Sequence, residues 1–386
     1  MSSKPASAQV ASSQPADAQP ESPAKLPESR PESQAASAPA TSRPRPARKV
    51  YLDLINVLAI IFVVALHVRF NYRVDYDSPG WVLENILSGT AVAAVPLFFM
   101  ASGITLLNFT NRESVGTFYK KRFTKILIPL LVWGQVYLFA RSWFTHTPLP
   151  TGEEILAVLL APNKVGVTLW YLEALIGVYL VLPIFSYALR GAGEKKVQLA
   201  WLMAALGLLM PIATASLQKI NPQFMPEFSA PIVGYVGFCF LGYALANTEF
   251  SLPWRLVIYV LGIAGSLTHI LVGPYLVLNH PGLGGLATEY LSVPTIFWAS
   301  AVFVFFKSLP LNRLPEAVQT GLRQLSALTF GVYLIHLLII QGLATYGWPL
   351  VDYRLEAPYA LLVWASSLVL VWLLRWIPPV RKWLVP

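Results

Sequence analysis

The sequence predicts an all-α polytopic membrane protein with about ten transmembrane helices, preceded by a disordered N-terminal tail. Three observations carry that prediction. Of 386 residues, 55% are hydrophobic and only 12% are charged, against roughly 25% charged in a soluble domain. The apolar residues gather into runs of about 20, the length that crosses a hydrocarbon core about 30 Å thick. The basic residues stand at the ends of those runs and favour one side.

Residues 1–48 are a different material, dominated by Ser, Pro, Ala and Gln with no apolar periodicity. Such a segment buries too little surface to offset its ordering entropy, so it reads as a disordered cytoplasmic tail. It lacks the charged start and apolar stretch of a secretory signal. Arg43, Arg45, Arg48 and Lys49 form a basic collar before the first apolar run, which holds the amino terminus in the cytoplasm. Residues 49–386 form the transmembrane domain.

Spans are expected near 51–70, 87–108, 125–145, 168–189, 197–217, 229–247, 253–275, 287–306, 325–346 and 358–377. With the amino terminus inside, this arrangement puts 19 of the 28 Lys and Arg on the cytoplasmic side and six outside, the rest lying in the tail. An odd number of spans would scramble that bias, so both termini are expected in the cytoplasm. Trp143, Trp170, Trp254, Trp348 and Trp383 fall at the expected interfaces as headgroup anchors. Cys239 is the single cysteine, so disulfides within the chain are excluded. The net charge of +9 forms no groove-facing patch, which argues against nucleic acid. Internal repeats are not visible, which disfavours inverted-repeat transporters. There is no phosphate-cradling glycine loop, HExxH, cysteine pair or nucleophile elbow, and no metal is expected.

Polar groups inside apolar runs are costly, at about 2.5–3.5 kcal/mol for Asp, Lys or Arg mid-span, so each wants a reason. In the first span Asn56 and His67 are eleven residues apart, close to three whole turns, and Asp53 lies within about 40° of the same face. His67 should stand about 24 Å from the inner end, towards the outside. A histidine there can simply reach interfacial water; it can also act as a general base on an attacking hydroxyl. In the ninth span Thr329, Tyr333 and His336 share a face, where a structural interhelical hydrogen bond is the plainer reading. Glu173, in LWYLEALIG, can orient His67 or pair with Lys164. His269, His146 and His280 fall near expected loops and offer no signal. FYKKRFTKILIPLLVW sets Lys120, Lys121, Arg122 and Lys125 at the inner mouth of the third span. Topology alone attracts such charge, yet Arg122 and Lys125, three apart, also suit a phosphate-bearing ligand such as an adenine nucleotide with an acyl-carrying arm.

These segments resemble the acyltransferase type 3 family of integral membrane proteins over residues 49 to 378. DLINVLAIIFVVALH is similar to the family's opening span with its terminal histidine. PLFFMASGITLL resembles its segment around Phe98, Phe99, Ser102 and Gly103. FYKKRFTKILIPLLVW, LWYLEALIGVYLVLPIF and LTFGVYLIHLL are similar to later segments, in the right order. One position departs: where the family has an arginine eleven residues before the histidine, this chain has Asn56.

The resemblance implies a bacterial plasma or inner membrane, and transfer of an acyl group, commonly acetyl, from acyl-CoA to a hydroxyl of a surface polysaccharide or lipid-linked glycan. Acyl-CoA would be a donor substrate, with no permanently bound cofactor. His67, Glu173 and His336 are then the catalytic candidates. Asp53, Asn56, Ser102, Lys121, Arg122, Lys125, Trp170 and Tyr333 are the binding candidates. A transporter or exporter of a glycan or small solute, lined by the same polar stripe, and a non-catalytic member of a polysaccharide assembly are the competing functions.

Overall fold

The computed structural model describes residues 49–68, 78–221, 231–280, 282–350 and 352–385. The tail expected to be disordered, 1–48, lies outside them. Among the described residues the secondary structure is helical throughout, without strands. The helices are α1 (Val50–Val68), α2 (Pro79–Ala91), α3 (Ala94–Leu106), α4 (Val115–Thr145), α5 (Gly152–Leu160), α6 (Trp170–Gly191), α7 (Lys196–Ile220) and α8 (Pro231–Asn247). They continue with α9 (Leu252–Leu267), a π-helical turn (Thr268–Val272), α10 (Gly273–Asn279), α11 (Gly285–Thr288), α12 (Val293–Ser308), α13 (Glu316–Thr345), α14 (Glu356–Leu374) and α15 (Pro378–Trp383). Among the described residues nine helical stretches are long and apolar enough to cross a membrane, and α8 is a shorter apolar helix beside them. These match the ten expected spans one for one.

Local chemistry sets the element ends. Ser78 caps α2 through Trp81 N, with Pro79 next in line; proline suits the first turn, where no N–H partner is needed. Ser114 caps α4 through Thr117 N, so the third span starts ten residues before its apolar part. Lys120, Lys121, Arg122 and Lys125 are therefore on helix. Thr151 and Glu154 close a reciprocal capping box on the short α5.

Packing turns on close backbone approach. A Cβ at Gly103 would collide with the carbonyl of Cys239, and one at Gly242 with the backbone of Met100. Glycine at both crossings brings α3 and α8 into direct backbone contact, the usual source of helix cohesion where burial from water contributes little. Helices α1 and α13 run parallel: Asn56 Nδ2 donates to Ser326 Oγ at 3.3 Å, and three turns further along His67 meets His336. The exposed surface carries large apolar side chains such as Leu180, Ile184, Leu206, Leu209, Val260 and Val369, a skin that suits hydrocarbon rather than water. Trp143, Trp254 and Trp348 are exposed as anchors require. Trp170 is corrected: it is half-buried, packed inward on Tyr235 and Tyr290.

Candidate functional site

His67 occupies the last turn of α1. Its Nδ1 lies 2.7 Å from the carbonyl oxygen of Val63. A carbonyl only accepts, so Nδ1 carries the proton, and in the neutral ring Nε2 is the proton-accepting nitrogen. The ring meets His336 of α13 edge to face, with centroids 5.1 Å apart at 72°. His336 is fully buried; its Nδ1–H donates to Val332 O at 3.1 Å, and its Nε2 is sealed without a hydrogen-bond partner among the described residues. Buried polar atoms normally find a partner, so an orphaned one marks a functional position or an unfilled contact.

The segment carrying His336 is held from two sides. Tyr333 Oη donates to Thr168 O at 2.6 Å, and Tyr137 Oη, from α4, donates to Leu334 O at 2.8 Å. The interhelical bond expected at His336 is not made, since its Nδ1–H turns to Val332 O in its own helix; Tyr333 instead ties the ninth span to the turn before α6. Beside His67 is a space of about 20 Å³, walled by Phe98, Thr168, Trp170, Tyr290 and Tyr333 among others, enough for about one water molecule. A second cavity of about 420 Å³ shares Leu66 and Tyr290 with it, a volume in the range of small-molecule sites.

The stripe on α1 faces the bundle. Asp53 is buried and Asn56 half-buried. Glu173, in the first turn of α6, is taken by Asn163, whose Nδ2 donates at 2.7 Å and whose backbone N–H donates at 3.3 Å. The structure brings neither suggested partner to that carboxylate: the 3-10 turn Pro162–Lys164 lays Asn163 over it, instead of Lys164 or His67. Ser102 is half-buried one turn beyond Phe98 on α3 and is not part of the space beside His67.

The opposite end of α1 is basic. Lys121 pairs with Glu113. The Arg122 guanidinium lies over the Phe118 ring at 5.8 Å, with Nε buried and without a hydrogen-bond partner among the described residues. Lys125 feels Arg122, Arg375 and Lys121 as neighbouring positive charges. Arg375, at the end of α14, donates to Ala327 O at 3.0 Å, the residue after the Ser326 that Asn56 bonds. Arg375 thus brings positive charge to the same region of α13 that Asn56 bonds, from a distant part of the chain. No local sequence pattern links Arg375 to α4.

His269 was also missed. It lies inside the π-helical turn, buried, in the wall of the larger cavity. Pro274 within the apolar run has no N–H to give the preceding turn, which loosens the helix there.

Comparison with known proteins adds the family. No solved structure matches the chain. Acyltransferase MdmB of Streptomyces mycarofaciens is 25% identical over 340 residues, covering 77% of this chain and 80% of that protein. The acyltransferase domain family matches residues 49–376, from the residue before α1 to just beyond α14. With a match of that extent, the chain belongs to the acyltransferase type 3 family of membrane proteins.

Proposed function

We propose that this membrane acyltransferase moves an acyl group, acetyl by preference, from acyl-CoA to a sugar hydroxyl of a surface polysaccharide or lipid-linked glycan. The observation that carries the reading is the His67–His336 pair, turned into the bundle beside a walled space. It lies at the other end of α1 from the four cations Lys121, Arg122, Lys125 and Arg375. The bias of Lys and Arg supports a cytoplasmic basic end, an outward-facing His67 end and both termini inside the cell.

In this reading Arg122, Lys125 and Arg375 hold the nucleotide phosphates, for which guanidinium groups offer paired donors. Asn56 and His67 are about 16 Å apart along the helix, the direction in which the pantetheine arm must carry its thioester. The acceptor hydroxyl oxygen attacks the thioester carbonyl carbon while His67 Nε2 takes the hydroxyl proton. The new C–O bond forms and the C–S bond breaks. Coenzyme A leaves as the thiol, with the proton that His67 collected. Val63 O and the His336 ring fix the orientation of the imidazole, a positioning role for His336.

The test uses membrane vesicles containing the full chain, acetyl-CoA labelled in the acetyl group, and the lipid-linked glycan fraction of the same cells. Label should pass to the glycan as an alkali-labile ester with the wild-type chain and not with His67→Ala. Equal labelling by the two would reject the assignment.

A further inference from the structure

We propose that the cavity of about 420 Å³ beside His67 binds the sugar acceptor, and that His269 grips one of its hydroxyls through Nδ1, so setting which other hydroxyl meets His67. This rests on the acyltransferase reading above and adds to it a binding site and a specificity-determining residue.

The wall carrying His269 is built to stay in place. The chain widens into a π-turn over Thr268–Val272, a feature frequent at functional sites. Helix α2 sits flush against that turn because Gly89 has no side chain: a Cβ there would run into Ile270 and crowd His269. Ser266 Oγ donates to Gly89 O at 3.2 Å, and Trp298 Nε1 donates to Thr90 O at 2.8 Å.

Hydrogen bonding then fixes the histidine's tautomer. The Thr295 hydroxyl has one proton, which goes to the carbonyl of Glu289 at 2.8 Å. Thr295 Oγ1 must therefore accept from His269, and Nε2, 2.8 Å away, carries the ring proton. The other nitrogen, Nδ1, is left as an acceptor. It has no hydrogen-bond partner among the described residues and is not among the sealed atoms. Among apolar neighbours such as Pro274 and Val277 an acceptor of this kind calls for a donor from a ligand or water.

The remaining wall fits a neutral, hydroxyl-rich molecule. Among the described residues its lining is neutral, without Asp, Glu, Lys or Arg. Asn85 gives Nδ2 to Trp81 O at 2.9 Å, which leaves Oδ1 as a second acceptor. Ser88 contributes a hydroxyl that can donate or accept. Trp81 and Tyr290 add aromatic surface, on which the C–H faces of a sugar ring can pack. Leu66 and Tyr290 belong to both spaces, so the larger cavity adjoins the space that His67 borders. His269 and His67 then engage different hydroxyls of one acceptor.

The experiment places a thiol in the wall by Ser88→Cys in the full chain, where the native Cys239 is buried. Maleimide labelling is followed in membrane vesicles with and without the lipid-linked glycan fraction of the same cells. The glycan should slow labelling severalfold, and adding His269→Ala should remove most of that protection. In transfer assays His269→Ala should raise KM for the glycan by about tenfold, with a smaller change in kcat, and His269→Gln should recover part of the loss through its amide oxygen. Labelling that ignores the glycan while the wild-type chain still acylates it would overturn the proposal and leave the acyltransferase reading intact. Protection without any acyl transfer would support the site and count against that reading. An unchanged KM in membrane-inserted His269→Ala would also overturn the role of His269.

Discussion

The imidazoles of His67 and His336 stand edge to face, 5.1 Å between centroids, each fixed by an Nδ1–H bond to the carbonyl four residues before it. Two helices far apart in the chain thereby present a matched pair of rings. The difference lies in access: His67 borders a space, whereas His336 is fully buried behind it. If His336 positions and His67 reacts, His336→Phe keeps an aromatic edge and should lower kcat by no more than about tenfold, while His67→Phe should lose about 10²–10⁴. Steady-state rates on vesicles decide between this and equal losses, which would give His336 a proton-handling role.

Arg375 and Lys121 make a contrasting pair at the basic end. Arg375 reaches in to Ala327 O and adds its charge beside Lys125; Lys121 is more than half exposed and already paired with Glu113. Arg375→Ala should raise KM for acetyl-CoA by about tenfold or more, as expected for loss of a charged phosphate contact. Lys121→Ala should change it little, since exposed ion pairs contribute about 0–1 kcal/mol. Donor titrations with each variant check both statements.

The crossing of α3 and α8 sets a stability test. Gly103→Leu or Gly242→Leu drives a side chain into the facing backbone, and overpacking of this kind costs about 1–3 kcal/mol or more. Gly116 has open space around its Cβ position, so Gly116→Ala should be neutral or mildly stabilising. Thermal aggregation midpoints in detergent should fall for the first two variants and hold for the third.

Tyr333→Phe removes the donor to Thr168 O without changing the shape of the ring. The carbonyl keeps only its longer bond from the Tyr171 N–H at 3.2 Å, and the lost hydrogen bond costs about 0.5–1.5 kcal/mol. A lower thermal midpoint together with a lower kcat is the expected result, because the same bond steadies the segment that places His336. A lower midpoint with normal kcat would separate the bond from the site.

Much of this architecture was legible because hydropathy and helical periodicity are local properties. Apolar runs located the spans, and a spacing of eleven residues put Asn56 and His67 on one inward face. Relationships between distant helices were not legible. Nothing near Arg375 in sequence says that it will stand beside Lys125, and nothing near Glu173 says that Asn163 outcompetes Lys164 for its carboxylate. Trp170 looks like any interfacial tryptophan until Tyr235 and Tyr290 are seen to enclose it. His269 carries no signal in the span expected over 253–275, because the widening that Pro274 causes into a π-turn over Thr268–Val272 is visible only in the structure.

The central claim is that the inward-facing His67 performs acyl transfer to surface sugar. Mass spectrometry of surface glycans from cells carrying the wild-type chain or His67→Ala tests it most directly, with membrane insertion of both chains verified by blotting. The account predicts that the ester mass increment disappears with His67→Ala while the glycan backbone remains. An undiminished increment in cells whose His67→Ala chain is inserted at wild-type level would contradict it.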